Sequence, residues 1–432
     1  MRLLESVLCN TRQANGWQRK FIELILELLL MAPGSATFRN LSRYSEYGEK
    51  TFSRGFGRSY DWVAFNHEAI SQVIPRDHEQ ALVLDASFVK KSGRCTYGLD
   101  RFWNGTAGRT EKGLEISLLS WLDITANQAY SLSVEQTPAN DNDKKASPKR
   151  KSQGNGKDKD KGKGKDKGKT QPLIDDSRLD VYVSQVRQVM ESYPLQWLKY
   201  LITDGYYSKV KFIDGVTELG LHQIGKLRGD ANMRYLYTGP KRPGPGAQKR
   251  FDGKVEWSDL SRFRRIETDE DGIVLYQQRL NHPRFKRTLN VVIVVDTRGK
   301  TPRQAILFST DLELAAQTIY RYYKARFQIE FLFRDAKQAT GLTDCQARDK
   351  EKLHFHFNAS LAAVSLAKLE AQQQTGGPLN APFSIQSLQR RAFNSHLLDR
   401  IIAHLEDGQT LNKFTPLYQT LCNYGTISQQ AA

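Results

Sequence analysis

Two apolar runs that each close on an aspartate constrain the fold of this chain more than any other feature of its sequence. ALVLDASFV at 81–89 carries Asp85, and QWLKYLITDGYYS at 196–208 carries Asp204; small or turn-forming residues follow each acid (Ala86-Ser87 and Gly205). Such runs read as strands, and continuous apolar runs of this kind suit a sheet covered on both faces. A carboxylate at the end of a buried strand costs desolvation unless a cation compensates it. The chain therefore brings two acids to the edge of a core and needs positive charge there. VVIVVD ending on Asp296, and Asp311 after AILFST, are acids of the same kind. Asp204 ranks above both because its strand follows a helix, whereas Asp296 lies in a turn-rich stretch.

The segments around these strands organise the rest. Residues 1–75 read as helical, with apolar spacing from Trp17 to Met31 that stops before Pro33-Gly34. A turn at Tyr47-Gly48 between two short helices, the second with Lys50 and Arg54, suits a helix-turn-helix. GLEISLLSWLDI and AYSLSVEQT alternate as antiparallel strands joined at Thr125-Ala126-Asn127. Residues 141–170 hold twelve Lys and Arg, five Asp and almost nothing to bury, and are expected to be a flexible solvated loop, a spacer with weak affinity for DNA phosphates. A helix is expected at 178–192. Residues 226–300, with MRYLYTG, a Pro/Gly loop at 239–246, GIVLYQQRL and TLNVVIVVD, read as a β-rich insertion. A long helix at about 311–339 and a second at about 351–373 follow.

The long helix carries the third acid. Tyr323, Arg326, Glu330 and Lys337 project within an arc of roughly 60° at about 100° per residue, with Arg334 beside them. Ala325, Ile329, Leu332, Phe333 and Ala336 form the opposite face, suited to packing on a sheet. Phe327 and Phe331 fall outside both arcs. Taken alone the polar face could be a solvated one held by the Arg326–Glu330 pair. Beside two strand-end aspartates it becomes a candidate active site, because three carboxylates offer the oxygen ligands that hard divalent cations take. Two such cations can activate the attacking oxygen and stabilise the leaving one at phosphorus.

Tyr323-x2-Arg326-x3-Glu330-x6-Lys337 resembles the Y-R-E-K signature of DDE transposases from bacterial insertion sequences, and DASFVKKSG and TDGYYS resemble the surroundings of that family's two aspartates. A chance match at four positions is on the order of one in 10⁵ per start. The resemblance spans about 80–370; the Lys/Gly/Asp tract departs from the pattern and lengthens the spacing of the aspartates at little loop-closure cost. It implies an α/β fold: an RNase H-like mixed-sheet core (76–225 and 301–375) interrupted by the β-rich insertion (226–300). Helical N- and C-terminal regions (1–75, 376–432) flank it, the first binding DNA and the second a possible dimer contact. It implies Asp85, Asp204 and Glu330 as catalytic ligands of two Mg²⁺ or Mn²⁺ ions. Tyr323, Arg326, Arg334, Lys337, Lys90 and Lys91 would contact DNA, and Trp257 is the insertion's candidate for stacking a flipped base. Implied partners are double-stranded element ends and target DNA, held by a homodimer in a synaptic complex.

Net charge agrees with a polyanionic partner: 64 Lys and Arg against 47 Asp and Glu leave +17. Cys9, Cys95, Cys345 and Cys422 have no metal-ligand spacing and read as reduced thiols. FIELILELLLM at 21–31 is too short to span a bilayer and carries two glutamates, so a bacterial cytoplasmic, nucleoid-associated enzyme without a membrane span is expected. His354 and His356 lie two apart on a helix and face apart, which suits core or surface positions better than a shared metal. The alternatives that stay open are a nuclease of the same fold that does not join DNA and an inactive DNA-binding descendant.

Overall fold

The computed structural model describes residues 2–11, 15–93, 95–139, 178–241, 243–375, 383–404 and 416–423. The Lys/Gly/Asp tract at 141–170 and the last residues of the C-terminal region lie outside them. Five helices open the chain: α1 (Arg2–Asn10), α2 (Gly16–Met31), α3 (Phe38–Leu41), α4 (Glu49–Phe56) and α5 (Trp62–Val73). Asn15 starts α2 by accepting the Gln18 N–H at 2.8 Å, and α2 ends at Ala32 because Pro33 cannot continue it. Helix α4 lays Phe52 and Phe56 against Phe21 of α2 and leaves Lys50 and Arg54 in solvent.

The chain continues with β1 (Gln80–Lys90), β2 (Asp100–Asn104), β3 (Arg109–Asp123), β4 (Gln128–Gln136), α6 (Arg178–Ser192), β5 (Tyr200–Thr203), α7 (Val210–Glu218) and β6 (His222–Leu227). β3 pairs antiparallel with β1, while β5 pairs parallel with β1 and β6 parallel with β5. The turn between β3 and β4 falls at the expected residues, with Asn127 in the left-handed region at φ 51°. Residues 226–300, expected as an insertion, carry β7 (Arg234–Leu236), β8 (Phe251–Lys254), β9 (Arg264–Glu267), β10 (Ile273–His282) and β11 (Arg287–Asp296), and β12 (Arg303–Ser309) follows. These strands do not form a layer of their own. β12 pairs with β6, β11 with β12 and β10 with β11, so that the described strands make one sheet in the order β2-β3-β1-β5-β6-β12-β11-β10-β7-β8. The result is a mixed α/β architecture on one large mixed sheet, consistent with an RNase H-like fold.

Strand alternation sorts the two faces. Leu82 and Leu84 of β1 pack with the N-terminal helices and α6, whereas Ala81, Val83 and Val89 pack with the C-terminal helices. Those helices are α8 (Ala316–Ala325), α9 (Gln328–Gln338) and α10 (Lys350–Thr375), followed by α11 (Ile385–His404) and α12 (Pro416–Cys422). The single helix expected over 311–339 is two. Around Arg326 and Phe327 the chain stays right-handed but tightens, with Ile329 N–H on Arg326 O and Glu330 N–H on Phe327 O, both at 3.1 Å. Helix α10 runs through the middle of the molecule, touching β4, α2, α5 and α9.

Candidate active site

Pairing of Leu84 with Thr203 brings Asp85 and Asp204 side by side on two interior strands. Asp204 follows the last residue of β5 as expected, but Asp85 lies in the middle of β1 and not at its end, because pairing with β3 carries the strand on to Lys90. Asp204 caps the short turn after β5 by accepting the Tyr206 N–H at 2.8 Å. Asp85 accepts the N–H of Ala86 at 2.8 Å, and its side chain is one-fifth exposed. Burial, and then the neighbouring Asp204 carboxylate, push the Asp85 carboxyl up to about 7. Glu330 enters from the first turn of α9 with a side chain 40% exposed.

Arg326 stands between the strands and the helix. One guanidinium nitrogen donates to Glu330 Oε1 at 2.9 Å and another reaches Asp85 Oδ2 at 3.5 Å. The tightened turn between α8 and α9 therefore preserves the i,i+4 meeting of Arg326 and Glu330. The Arg326 guanidinium also lies 5.7 Å from the Tyr323 ring centroid, and burial raises that phenol's pKa. Lys337, two turns further, donates to Ser87 Oγ at 2.8 Å, and burial lowers its pKa. Tyr323, Arg326, Glu330, Asp85 and Lys337 are thus brought together along one face, while Ile329, Leu332, Phe333 and Ala336 are buried on the other.

Other expected contributors are placed elsewhere. Lys91 donates to the Cys345 carbonyl and so ties β1 to the α9–α10 connection, and Lys90 is exposed at the end of β1. Arg334 forms a charge-assisted pair with its neighbour Asp335 at 2.8 Å. Trp257 packs against the insertion's own core and donates its indole N–H to Ala231 O at 3.0 Å, away from the acids. Asp296 is held by Arg298, which pulls its pKa down to about 2, and Asp311 accepts the Tyr200 hydroxyl at 2.8 Å. Both rival strand-end acids therefore have structural partners. His356 is buried with Nε2 on Gly341 O at 2.8 Å, while His354 lies half-exposed near Glu135, so the two histidines do face apart. Ser87 was not singled out from the sequence. Its position two residues after Asp85 puts it on the same strand face, and that alternation is the signal that could have found it.

Among the described residues, no three His, Cys, Asp or Glu side chains are gathered as a ready metal-binding group. The donors nevertheless suit a hard divalent cation: all are carboxylate oxygens, Asp85 and Asp204 repel each other, and the positive charge now reaching Asp85 and Glu330 is a guanidinium.

Comparison with known families decides the class. The family described as DDE superfamily endonuclease matches residues 13–271, which is more than half of the chain and includes Asp85 and Asp204. The chain belongs to the DDE superfamily endonucleases. A second family, the transposase DDE domain, matches residues 183–366 and includes Asp204 and Glu330. No protein of curated function matches the chain. This DDE protein is accordingly an enzyme of the transposase and nuclease type, whose class acts on DNA and generally uses divalent metals. No helix among the described residues is long and apolar enough to cross a membrane.

Proposed function

We propose that this DDE protein is an insertion-sequence transposase that cuts DNA at element ends and joins the freed 3′-hydroxyl to target DNA. The observation that supports the reading is the pairing that sets Asp85 beside Asp204, together with the Arg326 guanidinium that links Asp85 to Glu330 on the helix. Two Mg²⁺ or Mn²⁺ ions, when bound, would supply the positive charge that steadies the attacking and leaving oxygens at phosphorus. Asp85, Asp204 and Glu330 would hold them through carboxylate oxygens.

The other residues act on the DNA strand itself. Arg326 would exchange its contacts to Asp85 and Glu330 for a phosphate oxygen, a bidentate partner its planar fork fits. Lys337, fixed by Ser87, and Tyr323 would hold the same backbone from either side, which orients the scissile bond without reading sequence. Covering helices on both sheet faces limit water at Asp85, so these charge contacts count for more than they would in bulk solvent. The helical segment 1–75, with Lys50 and Arg54 in solvent, would recognise DNA, and residues 376–432 would contribute to the homodimer of a synaptic complex.

Cleavage of a supercoiled plasmid carrying the DNA that flanks the gene tests the proposal. Wild type is expected to cut only with Mg²⁺ or Mn²⁺, and Asp85→Asn, Asp204→Asn and Glu330→Gln each to lower the rate at least 10²-fold while the gel shift persists. Retained cutting by any one variant removes that residue from the site. A wild type that binds DNA but never cuts it would replace this reading with an inactive DNA-binding descendant, and cutting without strand transfer would reduce it to a nuclease.

A further inference from the structure

β3 is longer than its partner β1. Lys90, the last residue of β1, pairs with Gly113, so residues 109–112 of β3 pair with β2 alone. The β2–β3 hairpin therefore projects past the end of β1, at the same end of the sheet to which Asp85 and Asp204 are carried. One face of this arm is covered: Phe102 is fully buried, with the Arg178 guanidinium 4.7 Å over its ring. The other face is open. Arg101 pairs with Lys112 and Trp103 with Thr110, and all four side chains are exposed. Trp103 is 59% exposed, the highest value among the exposed large hydrophobic residues that are described.

Strand alternation fixes which way this face points. Asp85 pairs with Leu118, and Leu118, Ile116, Leu114, Lys112 and Thr110 share one side of β3. Trp103, Arg101 and Lys112 thus lie on the face that bears Asp85 and Ser87. Thr110 is eight residues from Leu118, so the indole stands roughly 26 Å from Asp85 at ~3.3 Å per residue. Along a duplex that is roughly eight base pairs. Among the described residues neither cation beside it pairs with an acid: Arg101 donates to Thr110 O at 3.2 Å and Lys112 to Gly93 O at 3.3 Å. Backbone carbonyls leave their charge available to a polyanion.

We infer that the β2–β3 hairpin is a DNA-gripping arm, in which Trp103 packs on bases and Arg101 and Lys112 hold phosphates about eight base pairs from the scissile bond. This rests on the proposed function and names a second contact of the same substrate. An indole flanked by cations takes either a base face or a groove wall, because stacking is available to every base and the cations fix the backbone beside it. The arm needs no rearrangement to do this. Its buried face is anchored by Phe102 and Arg178, and only the open face meets the duplex.

The test uses the full chain and a fluorescein-labelled 40-base-pair duplex from the DNA flanking the gene, in Ca²⁺. Trp103→Ala is expected to weaken binding roughly fivefold or more, and Trp103→Phe to restore most of the loss. Arg101→Ala with Lys112→Ala is expected to flatten the dependence of log affinity on log salt by about 2. Hydroxyl-radical footprints of Trp103→Ala and of the double variant should lose protection at one end and keep it around the acids. All the replaced side chains are exposed, so melting temperatures should stay within a degree or two of wild type. Wild-type affinity, slope and footprint in every variant would overturn the arm and leave the proposed function standing. A wild type that does not bind the duplex would overturn both.

Discussion

Arg326 and His356 show how differently two buried polar side chains can be used. Arg326 sits between acids it can leave, since its contact to Asp85 is 3.5 Å long and Glu330 is 40% exposed. His356 is locked: it is 1% exposed, its Nε2–H donates to Gly341 O, and burial lowers its pKa to about 4. The unfolded chain takes up that proton near pH 6.5, whereas the folded chain resists it until about 4. Stability from His356 is therefore complete above pH 6.5 and is lost as pH falls from 6.5 toward 4. At pH 5 the loss should be about 2 kcal/mol. Urea unfolding of wild type and His356→Gln at pH 7 and pH 5 checks this, because glutamine keeps a donor and removes the titration. Equal losses in both proteins would assign the acid sensitivity to other groups.

At the scale of elements, regular segments were legible in the sequence and the joints between them were not. The apolar runs at 81–89 and 196–208, the β3–β4 turn and the helices at 17–31 and 178–192 follow from local periodicity, and the structure places β1, β5 (Tyr200–Thr203), α2 and α6 within or close to those bounds. The shared face of Tyr323, Arg326, Glu330 and Lys337 was legible from helical spacing for the same reason. The break at Arg326–Phe327 was not, because both residues keep helical dihedrals and only the hydrogen-bond pattern changes. Nor did any local signal say that β10 and β11, read as part of an insertion, would extend the core sheet, since strand partners are chosen by long-range packing. The meeting of Asp85 with Asp204 depends on the same kind of pairing, between residues more than a hundred apart. One joint matters for how the helical N-terminal region meets the catalytic core. Gly341 has φ 66°, and a Cβ there would stand 2.4 Å from Ala36 Cβ and 2.7 Å from Asp344 Oδ2, which itself accepts the Ala36 N–H at 2.8 Å. Gly341→Ala combines left-handed strain of about 1–2 kcal/mol with that clash, so a total of about 2–4 kcal/mol should disappear from the unfolding free energy. Urea denaturation measures it, and a change under 1 kcal/mol would mean that the α9–α10 connection can shift away from Ala36.

For the whole molecule, charge and connectivity can be separated. Forty residues lie between Thr137 and Arg178, yet both of these end residues touch Glu115: Thr137 N–H donates to its carbonyl at 2.9 Å, and Arg178 lies 3.8 Å from its carboxylate. The chain leaves β4 and enters α6 beside one residue, so the fold needs only a short connection there. Twelve of the 64 Lys and Arg fall in 141–170 against five Asp, a surplus of seven in the protein's +17. Replacing 141–170 with six Gly/Ser residues should therefore leave the fold intact and raise stability by about 1 kcal/mol through the shorter loop. Affinity for random duplex should fall several-fold in 50 mM salt, and the difference should vanish as salt rises, because such contacts act by releasing counterions. Melting curves and polarisation titrations over a salt series separate the two effects. A shortened chain that fails to fold would make the tract part of the architecture. Unchanged low-salt affinity would instead leave DNA attraction to the remaining surplus of ten charges, which includes Arg101 and Lys112 on the hairpin and Lys50 and Arg54 on α4.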